Sequence, residues 1–206
     1  MGMYSEQILP RCLDFALSRE PYLHARQRVV QKLTGQILEI GFGSGLNVPY
    51  YPSSVSKVYA VDPSETGRKL AQKRVAACSI PIEWAGLDGQ KLALADASVD
   101  NALSTFTLCT ISDLDAALAE LMRVLKPGGY FYFLEHGRSP DRAVAKWQDR
   151  LNPIQLRLGG GCNLNRPISD RIRAAGFCLD ALDNYYLKRG PGGYIFEGRA
   201  RACAKS

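Results

Sequence analysis

Three closely spaced glycines follow an apolar stretch in the first quarter of the chain and form its strongest chemical signal. Gly41, Gly43 and Gly45, here called the glycine turn, lie within Ile-Leu-Glu-Ile-Gly-Phe-Gly-Ser-Gly-Leu-Asn at 37–47. A glycine adopts positive φ and lets a ligand approach the backbone because it has no Cβ. Asp62 ends the next apolar stretch, and an acid at such a place accepts the hydroxyls of a ribose in nucleoside-binding folds. The pattern therefore predicts a nucleoside site.

The spacing also distinguishes between kinds of nucleoside. A dinucleotide fingerprint needs glycine at its first, third and sixth places, and the sixth place here is Leu46. Pro49 and Pro52 crowd the first turns of the helix that would face a pyrophosphate. S-adenosylmethionine carries adenine and ribose without phosphate, so it needs the turn and the acid but no anion pocket. The pattern favours this methyl donor over a dinucleotide.

Further motifs follow in a recognisable order, and with them the chain resembles the class I S-adenosylmethionine-dependent methyltransferases over nearly its whole length. Two later motifs resemble a smaller branch that contains the animal thiol methyltransferase-like proteins and bacterial relatives, some of them labelled ubiquinone/menaquinone or phosphatidylethanolamine methyltransferases. The general motifs are Val-Asp-Pro-Ser (61–64), Gly-Leu-Asp-Gly-Gln-Lys-Leu (86–92), Asp-Ala-Ser-Val-Asp (96–100), Thr-Leu-Cys-Thr-Ile (107–111) and Arg-Val-Leu-Lys-Pro-Gly-Gly (123–129), and the branch motifs are Phe-Leu-Glu-His-Gly (133–137) and Gly-Cys-Asn-Leu-Asn-Arg-Pro (161–167).

The resemblance implies a cofactor site of S-adenosylmethionine, with S-adenosylhomocysteine as its product. The backbone of the glycine turn would line the methionine moiety, and Glu39, just before it, would organise the turn. Asp62, followed by Pro63, would accept the ribose hydroxyls, and a purely structural turn acid is the alternative.

The same resemblance places the adenine and the far side of the cofactor. Asp88 and Gly89 occupy the position that holds adenine, with the carboxylate accepting from the exocyclic amine, and Gln90 is the neighbouring alternative. Thr105 ends the fourth predicted strand at the switch point of the sheet, where ligands bind outside the carboxyl ends of the strands. For Thr105 we expect a backbone contact.

Candidate catalytic residues end the fifth predicted strand on the same edge. His136 is a candidate general base because imidazole titrates near neutrality, with a hydrogen bond to a loop carbonyl as the structural alternative, and Glu135 is the neighbouring carboxylate. Cys162, in a glycine-flanked loop, is interpreted as an inert or substrate-contacting thiol, and His24 as structural. If the N-terminus closes on residues 138–167, three more side chains reach the acceptor: Tyr4, Arg138 and Arg166.

Methyl transfer from a sulfonium is an in-line displacement, in which positioning alone can supply about 7–11 kcal/mol of the barrier. A thiol acceptor needs little base catalysis, since alkyl thiols have a pKa of about 8.5 and are already partly thiolate at neutral pH. An amine would need a base. Residues 138–173 carry eight Lys and Arg against three Asp and Glu, which favours an anionic acceptor.

The strand and helix pattern predicts an α/β fold, a doubly wound sheet in three layers. The resemblance adds seven mostly parallel strands, an antiparallel last strand and N-terminal lid helices. We expect a single domain, 1–206, with lid helices in 1–35, a cofactor-binding core in 36–136 and a substrate segment with the last strands in 137–206. Strands are predicted at 36–40, 57–61, 82–84, 100–105, 130–135, 177–187 and 193–202, and helices within 5–33 and at 66–77, 114–125, 140–158 and 169–175.

Composition narrows the class of protein. With 206 residues, 46% hydrophobic and 22% charged residues, the chain is typical of a globular protein. We expect a cytoplasmic protein, because no apolar run approaches a membrane span and the start matches neither a signal peptide nor a myristoylation site. The six cysteines contain no C-x-x-C pair, so we predict no metal site and no redox dithiol, and interpret most cysteines as buried apolar residues in a reducing compartment.

Three functions are compatible with these features. The first is a methyltransferase acting on a small-molecule nucleophile, with a thiol as the favoured acceptor. The second keeps the cofactor and places the acceptor, a phospholipid headgroup or a quinone, at a membrane surface that the basic amphipathic segment 140–158 contacts peripherally. The third is a non-catalytic cofactor-binding protein. The chain has a net charge of +6, but its sequence contains neither a nucleic-acid recognition motif nor the interleaved aromatic residues of nucleic-acid binders. This argues against a nucleic-acid partner.

Overall fold

The computed structural model describes residues 2–203, and seven strands in this range form one sheet. Met1 and residues 204–206, which belong to the predicted lid and C-terminal segments, lie outside the described residues. The strands are β1 Gly35–Ile40, β2 Val55–Val61, β3 Ile82–Gly86, β4 Val99–Thr105, β5 Leu125–His136, β6 Phe177–Tyr186 and β7 Tyr194–Ala202.

The sheet order is β3-β2-β1-β4-β5-β7-β6. The pairs β1–β2, β1–β4, β2–β3 and β4–β5 are parallel, whereas β7 runs antiparallel to both β5 and β6. This confirms the predicted doubly wound α/β sheet with an antiparallel last strand. The order reverses between β1 and β4, and this switch point is where such folds bind ligands.

Helices pack on both faces of the sheet because successive strand residues point to opposite sides. On β5, Phe131 and Phe133 belong to the core cluster that includes residues of α4 and α6, while Tyr132 and Leu134 belong to the cluster under α2 and α3. The helices are α1 Leu9–Leu17, α2 Tyr22–Val30, α3 Glu65–Ala76, α4 Leu114–Val124, α5 Arg142–Leu158 and α6 Ile168–Ala174, with a π-helical turn at Tyr4–Ile8 and a 3₁₀ turn at Val48–Tyr50.

Several local predictions agree with these bounds. The chain after the glycine turn forms only the 3₁₀ turn Val48–Tyr50, as the crowding by Pro49 and Pro52 predicts. Helix α5 continues through Pro153. Strand β5 differs, because it begins at Leu125 and includes Pro127-Gly128-Gly129, whereas the predicted strand begins at 130.

The cysteines are not used as predicted. Cys178 of β6 and Cys203 form a disulfide, whereas the sequence analysis expected reduced, buried thiols. The two residues are 25 apart in sequence, and the antiparallel β6–β7 pair brings them together. Of the other four, Cys109 and Cys162 are buried and Cys12 is exposed.

Within residues 2–203, no helix is both long enough and apolar enough to cross a membrane.

Candidate cofactor and acceptor site

The glycine turn connects β1 to the 3₁₀ turn at the switch point, and its glycines serve two purposes. All three have positive φ, +76° at Gly41, +53° at Gly43 and +74° at Gly45. A Cβ on Gly41 would overlap the side chain of Thr107, and one on Gly45 would press on Val48 and Phe42, so both are needed for packing. A Cβ on Gly43 would meet no heavy atom closer than 3.9 Å. The space above Gly43 is therefore open to a ligand.

Asp62, at the end of β2, closes the glycine turn. Its Oδ2 accepts a hydrogen bond from the Gly43 N–H at 2.7 Å, and its Oδ1 accepts one from the Ser64 N–H, also at 2.7 Å. Burial raises the pKa of Asp62 above its ordinary value, against the effect of these two hydrogen bonds. A carboxylate has about four acceptor sites, so Asp62 braces the turn and still has acceptor capacity for a ligand. Pro63, the next residue, is exposed.

A buried polar network lies beneath the turn and ties it to the N-terminal helices. Glu39 of β1 accepts from Asn47 Nδ2 at 2.9 Å and from the hydroxyl of Tyr51. Asn47 Nδ2 also donates to Thr105 Oγ1 at 3.0 Å. Arg26 of α2 donates to Asn47 Oδ1 at 2.9 Å and to Thr105 Oγ1 at 2.7 Å. Thr105 thus contributes its side chain to this network, whereas sequence reasoning assigned it a backbone contact.

Burial dominates the titration of this network. It raises the pKa of Glu39 to about 7 and lowers that of Arg26 to about 10, although each charge partly offsets the shift of the other. The guanidinium is therefore charged at neutral pH. Its Nε atom is buried and has no hydrogen-bond partner among residues 2–203, so it retains a donor at the switch point.

Helix α2 also covers the end of β4 through Phe106. This residue has φ +55°, a conformation that is uncommon outside glycine and is concentrated at functional sites. The Phe106 ring contacts Tyr22 edge-on at 5.5 Å between centroids and lies 5.2 Å from the Arg26 guanidinium carbon. Tyr22 and Arg26 of α2 therefore contact the chain just beyond the carboxyl end of β4.

The loop after β3 contains the residues predicted to hold adenine. Asp88 is exposed and accepts from the backbone and side-chain N–H groups of Gln90 through Oδ1, both at 2.8 Å. Gln90 Oε1 in turn accepts from the Asp113 N–H at 3.0 Å, which joins this loop to the start of α4. Gly89 packs on Ile40, where a Cβ would come within 2.9 Å of Cγ2. Leu87, beside Asp88, is 62% exposed.

Glu135 has its oxygens occupied by the loop that follows β4. The carboxylate is fully buried and accepts from Ser104 Oγ at 2.7 Å and from the Thr107 N–H at 2.9 and 3.0 Å. Burial raises its pKa. The geometry holds the 105–108 loop in place and leaves no exposed oxygen for proton transfer.

His136 lies against two thiols rather than against a loop carbonyl. Its Nε2 is 2.9 Å from Cys162 Sγ, which is 3.6 Å from Cys109 Sγ. Burial lowers the pKa of His136, but the contact with Cys162 and the charge of Glu135 outweigh it, so the pKa is raised. The contact with Cys109 and burial raise the pKa of the Cys162 thiol.

The prediction of no metal site did not consider a cluster of this kind. It relied on short sequence spacings, whereas these three residues are separated by 26 or more positions. The ends of β4 and β5 and the loop after α5 bring them together.

Arg138 and Arg166, expected to reach an acceptor, both make internal contacts. Arg138 pairs with Asp149 at 2.6 Å, and Arg166 Nη1 donates to the carbonyls of Leu108 and Ile111. Tyr4 donates to the carbonyl of Leu158 at 2.9 Å, so the N-terminus and the end of α5 do meet. His24 is a surface residue beside Glu20.

Sequence reasoning missed several residues of the site. Arg26 gave a usable signal, because it lies between Ala25 and Val29 on the buried face of α2, where an arginine needs partners. Three further residues, Asn47, Tyr51 and Cys109, gave no signal in the sequence, because their partners come from other segments of the chain.

Comparisons with known proteins find relatives in sequence and in fold. A family model described as a methyltransferase domain matches residues 38–133. Thiol S-methyltransferase TMT1B of Rattus norvegicus is 35% identical over 146 residues, which are 68% of this chain and 59% of the relative. The chain thus spans less than two thirds of that relative's length.

Two solved structures share the fold. One is a Thermotoga maritima S-adenosylmethionine-dependent methyltransferase, described as a possible histamine N-methyltransferase, with a TM-score of 0.69 at 22% identity. The match covers 96% of this chain and 97% of the Thermotoga chain. A geranyl diphosphate methyltransferase in complex with S-adenosylmethionine has a TM-score of 0.70 at 14% identity, covering 98% and 92%.

The buried carboxyl of Glu39 makes the free energy of unfolding depend on pH. Its folded pKa of about 7 lies above the ordinary 4.5, so its contribution is complete below pH 4.5 and is lost as the pH rises through 7. Between pH 5 and 8, the free energy of unfolding of the wild type should fall by about 2 kcal/mol more than that of Glu39→Gln. Urea unfolding at several pH values measures the difference. Glu65→Gln, at an exposed carboxylate, is the control, and equal slopes for wild type and Glu39→Gln would contradict the assignment.

Proposed function

Because residues 38–133 are a methyltransferase domain in a chain with the class I methyltransferase fold, we propose that the protein transfers a methyl group from S-adenosylmethionine to a small-molecule thiol. The products are a thioether and S-adenosylhomocysteine. The observation that carries this proposal is the open space above Gly43, bordered by Asp62 at the switch point. It accommodates a nucleoside without a pyrophosphate, because no helix N-terminus follows the turn.

The cofactor would extend along the carboxyl edge from the glycine turn to the loop after β3. Asp62 would accept the ribose hydroxyls with its remaining lone pairs. Asp88 Oδ2 has no protein donor within the described range and is available for the exocyclic amine of adenine, with the exposed Leu87 beside it. Arg26 adds a buried positive charge and an unused Nε donor, which suit the carboxylate of the methionine moiety.

The N-terminal helices, in residues 1–35, would act as a lid over this cofactor. Arg26, Tyr22 and Tyr4 connect them to β4 and to the end of α5. The lid excludes water from the sulfonium and brings residues 137–206 over the acceptor side.

A thiol acceptor is consistent with the contacts of the two candidate bases, Glu135 and His136. Glu135 is fully bonded inside the protein, so we assign it to positioning the 105–108 loop, and His136, in contact with Cys162, is the group nearest the acceptor. A thiol needs little help to ionise, unlike an amine. The similarity to a relative named as a thiol S-methyltransferase supports the same choice.

Substitution of Asp62 tests the cofactor site. Asp62→Ala removes a charged acceptor, and hydrogen bonds to charged groups contribute about 1.5–3 kcal/mol each, so affinity for S-adenosylhomocysteine should fall by about 100-fold in calorimetry. Asp141→Ala is the matched control, because Asp141 also accepts from the N–H two residues ahead but lies on α5. An unchanged dissociation constant for a folded Asp62→Ala would overturn the ribose assignment.

A panel of acceptors tests the reaction itself. The protein is incubated with methyl-labelled S-adenosylmethionine and alkyl and aryl thiols, amines, phenols, quinols and lipid vesicles. We expect label in thioethers, matched one-to-one by S-adenosylhomocysteine. Label confined to amines or phenols would contradict the thiol proposal, and no turnover with any acceptor, despite cofactor binding, would favour a non-catalytic protein.

A second candidate function, methylation of a lipid headgroup or quinone, is favoured by one surface. Large apolar side chains on α5 are exposed, among them Trp147 at 55% and Ile154 at 56%, and the same helix carries the basic residues Arg142, Lys146 and Arg150. This combination suits the surface of an anionic membrane. Salt-sensitive sedimentation with anionic vesicles, together with labelled lipid in the panel, would favour this function over the first.

A further inference from the structure

Two cysteines and a histidine from three separate segments converge beside the cofactor edge. Cys109 lies in the loop after β4, His136 ends β5, and Cys162 follows α5. Their ligand atoms all lie within 4.8 Å of one another. Both thiols are buried and the imidazole is half-buried, so the three groups form a shielded cluster of soft donors.

The spacing of these donors is close to that of a zinc site. A tetrahedral zinc with Zn–S bonds of about 2.3 Å separates two thiolates by about 3.8 Å and a thiolate from a histidine nitrogen by about 3.5 Å. Cys109 and Cys162 are separated by 3.6 Å, and His136 Nε2 is 2.9 Å from Cys162 Sγ. These two distances differ from the zinc values by about 0.6 Å or less, and Cys109 Sγ lies within 4.8 Å of an imidazole nitrogen of His136. Cysteine and histidine are also the ligand types that zinc prefers over magnesium and calcium.

One imidazole nitrogen has no role in the described part of the chain. His136 Nδ1 is buried without a hydrogen-bond partner, which is uncommon for a buried polar atom. No described group bonds Nδ1, and Nε2 is the nitrogen that faces Cys162 Sγ.

The backbone around the cysteines is held in place before any ligand binds. Asn163 donates to the Cys109 carbonyl through its backbone N–H at 2.8 Å and through Nδ2 at 3.0 Å, which links the two cysteine loops directly. Arg166 donates to the carbonyls of Leu108 and Ile111 and so holds the Cys109 loop from the other side. Such support is what a preformed metal site requires.

We propose that Cys109, His136 and Cys162 bind one Zn²⁺ ion and leave its fourth position open for the thiol acceptor. Three protein ligands with one open position are typical of catalytic rather than structural zinc. The choice of acceptor rests on the function proposed above, whereas the metal site does not.

The charges around the cluster favour an anionic fourth ligand. Two thiolates neutralise the dication, and Arg166, half-buried beside them, adds a positive charge. On coordination the acceptor thiol releases its proton to solvent, because a metal-bound thiol is deprotonated. The thiolate sulfur then attacks the methyl carbon of the sulfonium. A carbon–sulfur bond forms as the methyl–sulfonium bond breaks, and its electron pair stays on the sulfur of S-adenosylhomocysteine.

Cobalt substitution tests the site without relying on activity. The full chain, reduced and stripped of metal, is titrated with Co²⁺, which reports tetrahedral geometry and thiolate ligation by its absorption. We expect one equivalent to bind with thiolate-to-cobalt charge-transfer bands, Zn²⁺ to displace it, and Cys109→Ser, Cys162→Ser and His136→Ala each to weaken binding by about 100-fold or more. Cys78→Ser, away from the cluster, is the control and should bind as the wild type does.

Failure of the metal site and failure of the proposed function give different results. Absence of a thiolate–cobalt band in the reduced wild type, or a band unchanged in the three cluster variants, overturns the metal site. Full thiol methylation by chelator-treated protein overturns the role of the metal in the reaction while the proposed function stands. The third outcome is a protein that binds cobalt normally but methylates no thiol, and whose cobalt spectrum does not change when thiophenol is added. This outcome supports the metal site and overturns the thiol function.

Discussion

The hydrogen bond from the Gly43 N–H to the Asp62 carboxylate is the interaction on which the rest of the site depends. It joins the loops after β1 and β2, neighbouring parallel strands, just outside their carboxyl ends. The carboxylate is largely buried, and burial of an ionised group is unfavourable unless hydrogen bonds compensate it. Gly43 and Ser64 supply two of these bonds, and a ribose would supply more. The open space above Gly43 and the unsatisfied acceptor capacity of Asp62 are thus two aspects of one geometry.

The second constraint is the polar network that joins α2 to the switch point. Arg26, Asn47, Glu39 and Thr105 are all buried, and in such a setting a missing partner costs about 1–3 kcal/mol, or more for a charged group. The network therefore fixes where the N-terminal helices sit. Together with Phe106 in its strained conformation, it couples the position of α2 to the shape of the carboxyl edge of the sheet.

The sequence predicted much of the fold because its signals were local. The apolar strand before Gly41 and the prolines after the glycine turn are signals carried by neighbouring residues, and the resemblance implied seven mostly parallel strands with an antiparallel last strand. Gly43 and Asp62, the predicted cofactor residues, were selected from the same kind of local signal. The cluster of Cys109, His136 and Cys162 was missed because its members share no local pattern and meet only when the sheet edge forms. The disulfide between Cys178 and Cys203 was missed for the same reason.

Stabilisation by ligand is the most direct test of a phosphate-free nucleoside site at the glycine turn. Thermal unfolding is measured with S-adenosylhomocysteine, NAD⁺ and FAD, each at the same concentration. At 100 times the dissociation constant a ligand stabilises the native state by about 2.7 kcal/mol, which corresponds to a rise in Tm of about 5–10 °C for a chain of this size. The account predicts that rise with S-adenosylhomocysteine alone. A rise with either dinucleotide, and none with S-adenosylhomocysteine, would contradict it.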